Sequence, residues 1–167
     1  MTSALKCKNY REYLDVESQY IDYLQSSASG SYGEKIANLL VDEFFKFFVL
    51  STNFPDQMIQ ISKAVDDIWH FAILETKHYR KLNSTNNKGR FLDHSKIAQE
   101  ETLIDEFNET KNDFEFCLNY IHFFGEFSEE ALQYWPQANR LANKSNISFD
   151  QLNELLIQLS EKMSSTG

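Results

Sequence analysis

The sequence predicts an all-α fold, a single helical-bundle-like domain of five or six helices, and three observations carry that expectation. Its 167 residues include only two Pro and five Gly, so long uninterrupted stretches of backbone favour helices over many short strands. Apolar residues recur at three- and four-residue spacing through most of those stretches. Hydrophobic residues make up 42% and aromatic residues 14% of the chain, and a compact domain of this length buries roughly 70% of its unfolded surface without needing staples.

Tyr10, Tyr13, Leu14, Tyr20, Ile21 and Leu24 recur at helical spacing between charged and amide residues, which predicts an amphipathic helix from Tyr10 to Leu24. The small residues of SSASGSYG, 26–33, read as a loop after it. From Glu34 to Leu50 apolar side chains cover nearly every side of a helix, the signature of a central element. Ser62 is placed to cap a third helix, running through Leu82 and stopping at the polar run NSTNNKG. After the connector RFLDH, Ser95 caps a fourth, from Lys96 to about Phe124, with Ile97, Ile104, Phe107, Phe114, Cys117, Leu118, Ile121 and Phe124 inward and Gly125 at its end. A short helix from Ser128 must finish near Trp135, because Pro136 opposes continuation. Ser148 with Gln151 forms a capping box for the last helix, whose inward face is Phe149, Leu152, Leu156, Leu159 and Met163. The expected organisation is one domain over 1–167, with a core at about 35–136, an N-terminal helix and loop over 1–33, and a C-terminal helix over 147–163.

Sixteen Lys and Arg against twenty-five Asp and Glu leave a formal charge of −9, which opposes attraction to nucleic acid phosphates and to anionic lipid. The N-terminal residues lack an apolar signal core, and no run approaches the roughly eighteen apolar residues of a membrane span. A cytoplasmic protein without a membrane partner is expected. Cys7 and Cys117 are far apart and form no CxxC pair, so both read as reduced thiols. The Asn-x-Ser/Thr triplets at Asn83 and Asn146 then carry no glycan meaning. Phosphate-cradling glycine loops, dinucleotide fingerprints and GxSxG are missing from the sequence.

Among four histidines, His70 is the one placed for chemistry, because Asp66 precedes it by four residues and shares its helix face. A carboxylate there can fix the imidazole tautomer or join it in holding a cation. If the connector folds back over the helix, His94 supplies a second imidazole. Asp66, His70 and His94 would then make the two-imidazole, one-carboxylate set used by non-haem iron and compatible with zinc or manganese. Three readings stay open: a divalent metal centre, serving as cofactor or clamp; a structural hydrogen-bond network in a non-enzymatic module that recruits a protein partner; and a hydrolase using Asp66–His70 as general base. His78 lies about 12 Å further along the helix axis and reads as a surface residue, and His122, among aromatics, as a core hydrogen-bonding group. Lys77, Arg80, Lys81, Lys88 and Arg90 form a basic cluster best read as cations complementing a helix C-terminus.

The ordered blocks VDDIWHFAILETKHYRKL, GRFLDHS and FEFCLNYIHFFGEFSEEALQYW, spanning roughly Lys35 to Trp135, resemble the glycine-rich domain-containing protein-like family of bacteria and plants. The resemblance singles out Asp66, Trp69, His70, Thr76, Tyr79, Gly89, His94, Tyr120, Gly125 and Trp135 and implies no assigned activity. Against that pattern, Ala72 stands where a second imidazole is common, Asp93-His94 stands for a His-His pair, and a cysteine after the Tyr is missing. Any metal site would therefore rest on Asp66, His70, His94 and Asp93.

Overall fold

A computed structural model describes residues 9–87, 90–94 and 105–165. Among them every regular element is helical: a short 3₁₀ turn at Tyr10–Glu12, then α1 (Ser18–Tyr32), α2 (Glu34–Asn53), α3 (Lys63–Leu74), α4 (Thr76–Asn86), α5 (Glu106–Phe124), α6 (Glu129–Leu132), α7 (Pro136–Ser145) and α8 (Phe149–Ser165). The all-α class is as the sequence predicts, and the eight α-helices exceed the five or six expected. None of the described helices is long and apolar enough to cross a membrane. The contacts divide the chain into two compact units, one holding Tyr10–Asp56 and Ile61–Thr102, the other Met1–Asn9, Gln57–Gln60 and Leu103–Gly167.

In the unit that begins at Tyr10, α2 is central. Leu40, Val41, Phe44, Phe45, Phe48, Val49 and Leu50 are fully buried, and removing each large side chain from water contributes about 1.5–3 kcal/mol. Its outer end is less covered, with Ile36 exposed. Helix α1 starts later than the sequence pattern implies, because Asn86 of α4 grips the Asp15 backbone from both sides, donating to Asp15 O at 3.0 Å and accepting from Asp15 N at 2.8 Å. Residues 13–17 are thereby held out of the helix. It also ends later: 26–32 is helical, not a loop, because Ala28 continues the buried stripe of Tyr20, Ile21 and Leu24 that packs on α2. Gly33, at φ +77°, makes the turn into α2.

The single helix expected from Ser62 to Leu82 is two. Ser62 caps α3 as predicted, accepting from Val65 N at 3.3 Å. At the other end hydroxyls from α1 take carbonyls of its last turn: Tyr20 donates to Ala72 O at 2.8 Å and Tyr23 to Phe71 O at 3.4 Å. With those acceptors engaged, the backbone turns at Glu75 and restarts as α4. Helix α4 runs through the polar NSTN segment, since Asn83 is buried and Asn86 is tied to Asp15.

The other unit packs α7 and α8 against α5. Tyr120 stacks on Phe127 with centroids 3.9 Å apart, and Phe116 and Trp135 complete a buried aromatic cluster. Asp105 caps α5 through Asn108 N at 2.9 Å; the expected start at Ser95 and Lys96, with Ile97 and Ile104, lies outside the described residues. Phe107, expected inward, is 78% exposed, and Met163 is exposed likewise. Helix α7 was not expected at all. Pro136, which ends the preceding turn, occupies the first position of α7, where its missing N–H has no intrahelical role. The capping box of α8 is present: Ser148 N donates to Gln151 Oε1 at 2.9 Å, and Gln151 N to Ser148 Oγ at 3.2 Å.

A buried polar network fixes residues 57–60 within this unit. Asp113, fully buried on α5, accepts from Arg140 Nε and Nη2 at 2.9 and 2.7 Å and from Gln137 Nε2 at 3.2 Å. Arg140 Nη1 also donates to Gln60 Oε1 at 2.6 Å, and Gln60 N to Gln137 Oε1 at 2.9 Å. The result is a bidentate charge pair that also engages the amides of Gln60 and Gln137, with Glu109 Oε1 3.7 Å from Arg140 Nε.

Candidate metal centre

Helix α3 presents Asp66 and His70 one turn apart, and the connector after α4 brings His94 to the same place. Each of the three offers one donor atom, and those atoms lie within 4.8 Å of one another. His94 Nε2 is 2.6 Å from Asp66 Oδ1. His70 Nδ1 is 2.9 Å from the Asp66 carbonyl oxygen and 3.4 Å from Asp66 Oδ2. A carbonyl only accepts, so His70 Nδ1 carries a proton, and Nε2 is the ring nitrogen not engaged in that bond. The carboxylate likewise makes His94 Nε2 the donor in its short contact.

The two rings sit 4.5 Å apart between centroids. His94 also packs on Trp69, at 4.3 Å between centroids, which in turn leans on Phe47 of α2 at 4.9 Å. Side-chain exposure falls from 39% for His70 and 33% for Asp66 to 13% for His94, so the group is reachable from solvent at the His70 side. There an open cleft of about 350 Å³ is lined by His70, Ile73, Leu74 and His94.

What delivers His94 is a clamp on the connector two residues earlier. Asn83, buried on α4, accepts from Leu92 N at 2.7 Å and donates to Tyr79 O at 2.9 Å. The Tyr79 hydroxyl donates to Leu92 O and accepts from Trp69 Nε1, the latter at 2.9 Å. Both backbone groups of Leu92 are therefore fixed to α4, and Trp69 ties α4 back to α3. Burial pushes the Tyr79 phenol above its ordinary range, which keeps the hydroxyl a proton donor at any ordinary pH. In the sequence Tyr79 stands out only through the family resemblance, and Asn83 only as the start of the polar run and of a triplet without glycan meaning. No local sequence signal marks this clamp, because the burial of Asn83 that demands a partner is set by the fold.

Beside the centre, Asp67 faces away from it, accepting from Tyr32 Oη at 2.5 Å and pairing with Lys63 at 2.9 Å. These donors, the tyrosine first, hold its carboxyl below the usual carboxylate range. Asp93 is exposed and outside the converging group. His78 is not a surface residue: its side chain is 18% exposed, stacked on Tyr20 and set between Glu17 and Glu75. His122 is exposed, not a core group, with Phe123 edge-on beside it. Within the basic cluster Lys81 pairs with Glu17 at 2.7 Å, while Lys77, Arg80 and Arg90 are exposed. Lys88 and Gly89 lie outside the described residues. Cys117 is buried, and burial raises its thiol well above the ordinary value, which makes it a poor nucleophile.

Of the residues that the family resemblance singled out, Trp69, Tyr79, Asp66, His70 and His94 form this site, and Thr76 opens α4. Tyr120, Gly125 and Trp135 belong to the other unit, where the two aromatics build its core. Neither curated proteins nor solved structures yield a match to the chain. The resemblance to the glycine-rich domain-containing protein-like family does not hold. Its blocks are short pieces of amphipathic helix and aromatic connector, patterns that unrelated helical chains share, whereas the family-model match runs over 10–123 and is to a different family. By that match, which covers more than half of its length, the chain belongs to the UCP032817-like family.

Proposed function

We propose that Asp66, His70 and His94 bind one divalent cation of the iron, zinc or manganese class, leaving a coordination position open to the cleft. The observation that carries this reading is the convergence of two imidazoles and one carboxylate from two separate elements onto a partly exposed spot. Two nitrogens and an oxygen suit these ions, which hold imidazole and carboxylate donors at about 2.0–2.2 Å. Donors bound to one such ion stand about 3.0–3.4 Å apart, so the 2.6 Å His94–Asp66 contact must open slightly as the ion replaces the proton between them. The Leu92 clamp limits how far His94 can swing during that exchange.

That same short contact favours a second reading. With Asp66 accepting from His94 and His70 donating to the Asp66 carbonyl, the cluster is already a satisfied hydrogen-bond network that fastens the connector to α3. In that reading the chain is a non-enzymatic module and its surface recruits a protein partner. Metal analysis of protein purified without a His tag separates the two. The metal reading predicts about one ion per chain by elemental analysis, lost in both His70→Ala and His94→Ala. Wild-type protein that is metal-free and takes up none of the three ions on titration would leave the network reading alone.

A further inference from the structure

We infer, building on the metal reading above, that the centre acts on a small molecule with a metal-coordinating head and an uncharged, apolar body, seated in the cleft beside the two imidazoles. The cleft walls carry the inference. The described lining is His70 and His94, where a ligand atom would reach the ion's open position, together with Ile73 and Leu74 from the last turn of α3. Among the described residues no Asp, Glu, Lys or Arg lines the cleft, although the chain is 25% charged.

A volume of about 350 Å³ lies within the ordinary range for small-molecule sites. Leu74 is 72% exposed at the cleft edge, an apolar side chain left in water where it ends α3. An isolated exposed leucine is unremarkable in itself. Here it stands in one wall with Ile73 and two donor imidazoles, and that combination matches a ligand with one polar end and one apolar end. Ile73 and Leu74, the apolar part of the described lining, offer a charged tail no group to pair with.

The test uses zinc-loaded full-length protein and three hydroxamates with a common chelating head: acetohydroxamate, hexanohydroxamate and the carboxylate-tailed succinohydroxamate. Calorimetry first measures Zn²⁺ affinity without any hydroxamate, which isolates the metal reading. The expected result is hexanohydroxamate binding at least tenfold more tightly than acetohydroxamate, equal to about 1.4 kcal/mol, with succinohydroxamate no tighter than acetohydroxamate. Leu74→Ser should cut the tenfold gain to below threefold and leave Zn²⁺ affinity and the unfolding midpoint unchanged, since that side chain is largely exposed and contributes little to folding. Equal affinities for the three compounds, or a gain that survives Leu74→Ser, overturn the ligand class and leave the metal centre standing. Absence of Zn²⁺ binding in the first titration removes both.

Discussion

Tyr79→Phe removes one oxygen and tests the clamp that places His94. In the native protein that hydroxyl accepts from Trp69 Nε1 and donates to Leu92 O, so its loss leaves one donor and one acceptor without partners. A buried polar group stripped of its partner costs about 1–3 kcal/mol. Trp69 and Leu92 are each only partly buried, so water answers part of the loss and the lower end applies to both. The expected destabilisation is about 2 kcal/mol in urea unfolding followed by far-ultraviolet circular dichroism. A double-mutant cycle with Trp69→Phe should return about 1 kcal/mol of coupling for the Nε1–hydroxyl bond. Because the connector carries His94, metal affinity should also fall by about 10–100-fold, the usual consequence of losing a group that orients a ligand. A stability change below about 0.5 kcal/mol, with metal affinity unaltered, would refute the clamp.

Two further outcomes follow from other parts of the molecule. Arg140→Leu leaves the fully buried Asp113 carboxylate uncompensated and should cost about 3–5 kcal/mol, whereas the double variant Asp113→Leu/Arg140→Leu should recover most of that loss in the same urea assay. If the double variant is no better than the single, the charge pair is not what the network depends on. Tyr32→Phe should lower stability at neutral pH, and the gap from wild type should close as the pH falls below about 4. The sign follows from Asp67: a carboxyl held below its unfolded value contributes stability above that value and loses it as protons return. A gap that stays constant down to pH 2–3 would mean the Tyr32–Asp67 bond is not its source.

How much of this was legible in the sequence depends on the range of the interaction. Local signals held: Ser62 caps α3, Ser148 and Gln151 form their box, and Gly125 ends α5 at φ +81°. The apolar wheel of α2 marked the central helix. The four-residue spacing put Asp66 beside His70, and the connector's polar composition allowed it to return over α3. The failures are tertiary. Whether α3 and α4 were one helix turned on Tyr20 and Tyr23 reaching carbonyls about fifty residues away in sequence. The start of α1 turned on Asn86 holding Asp15, and the helicity of 26–32 on Ala28 finding a place against α2. Proline at 136 was read as a stop when it was also a start, since its missing N–H is costly inside a helix and harmless at the first position. The Asn83–Leu92 and Asp113–Arg140 bonds carry no local pattern, because each depends on a polar side chain, Asn83 or Asp113, whose burial only the fold determines.

The central claim is that His70 and His94 take the same ion. Long-range ¹⁵N spectra of the histidine rings, recorded while Zn²⁺ is added to untagged protein, test it most directly. The account predicts that one ring nitrogen of His70 and one of His94 move together and saturate at one equivalent, while His78 and His122 stay in place. Rings of His70 and His94 that do not respond, or that respond at different equivalents, would contradict it.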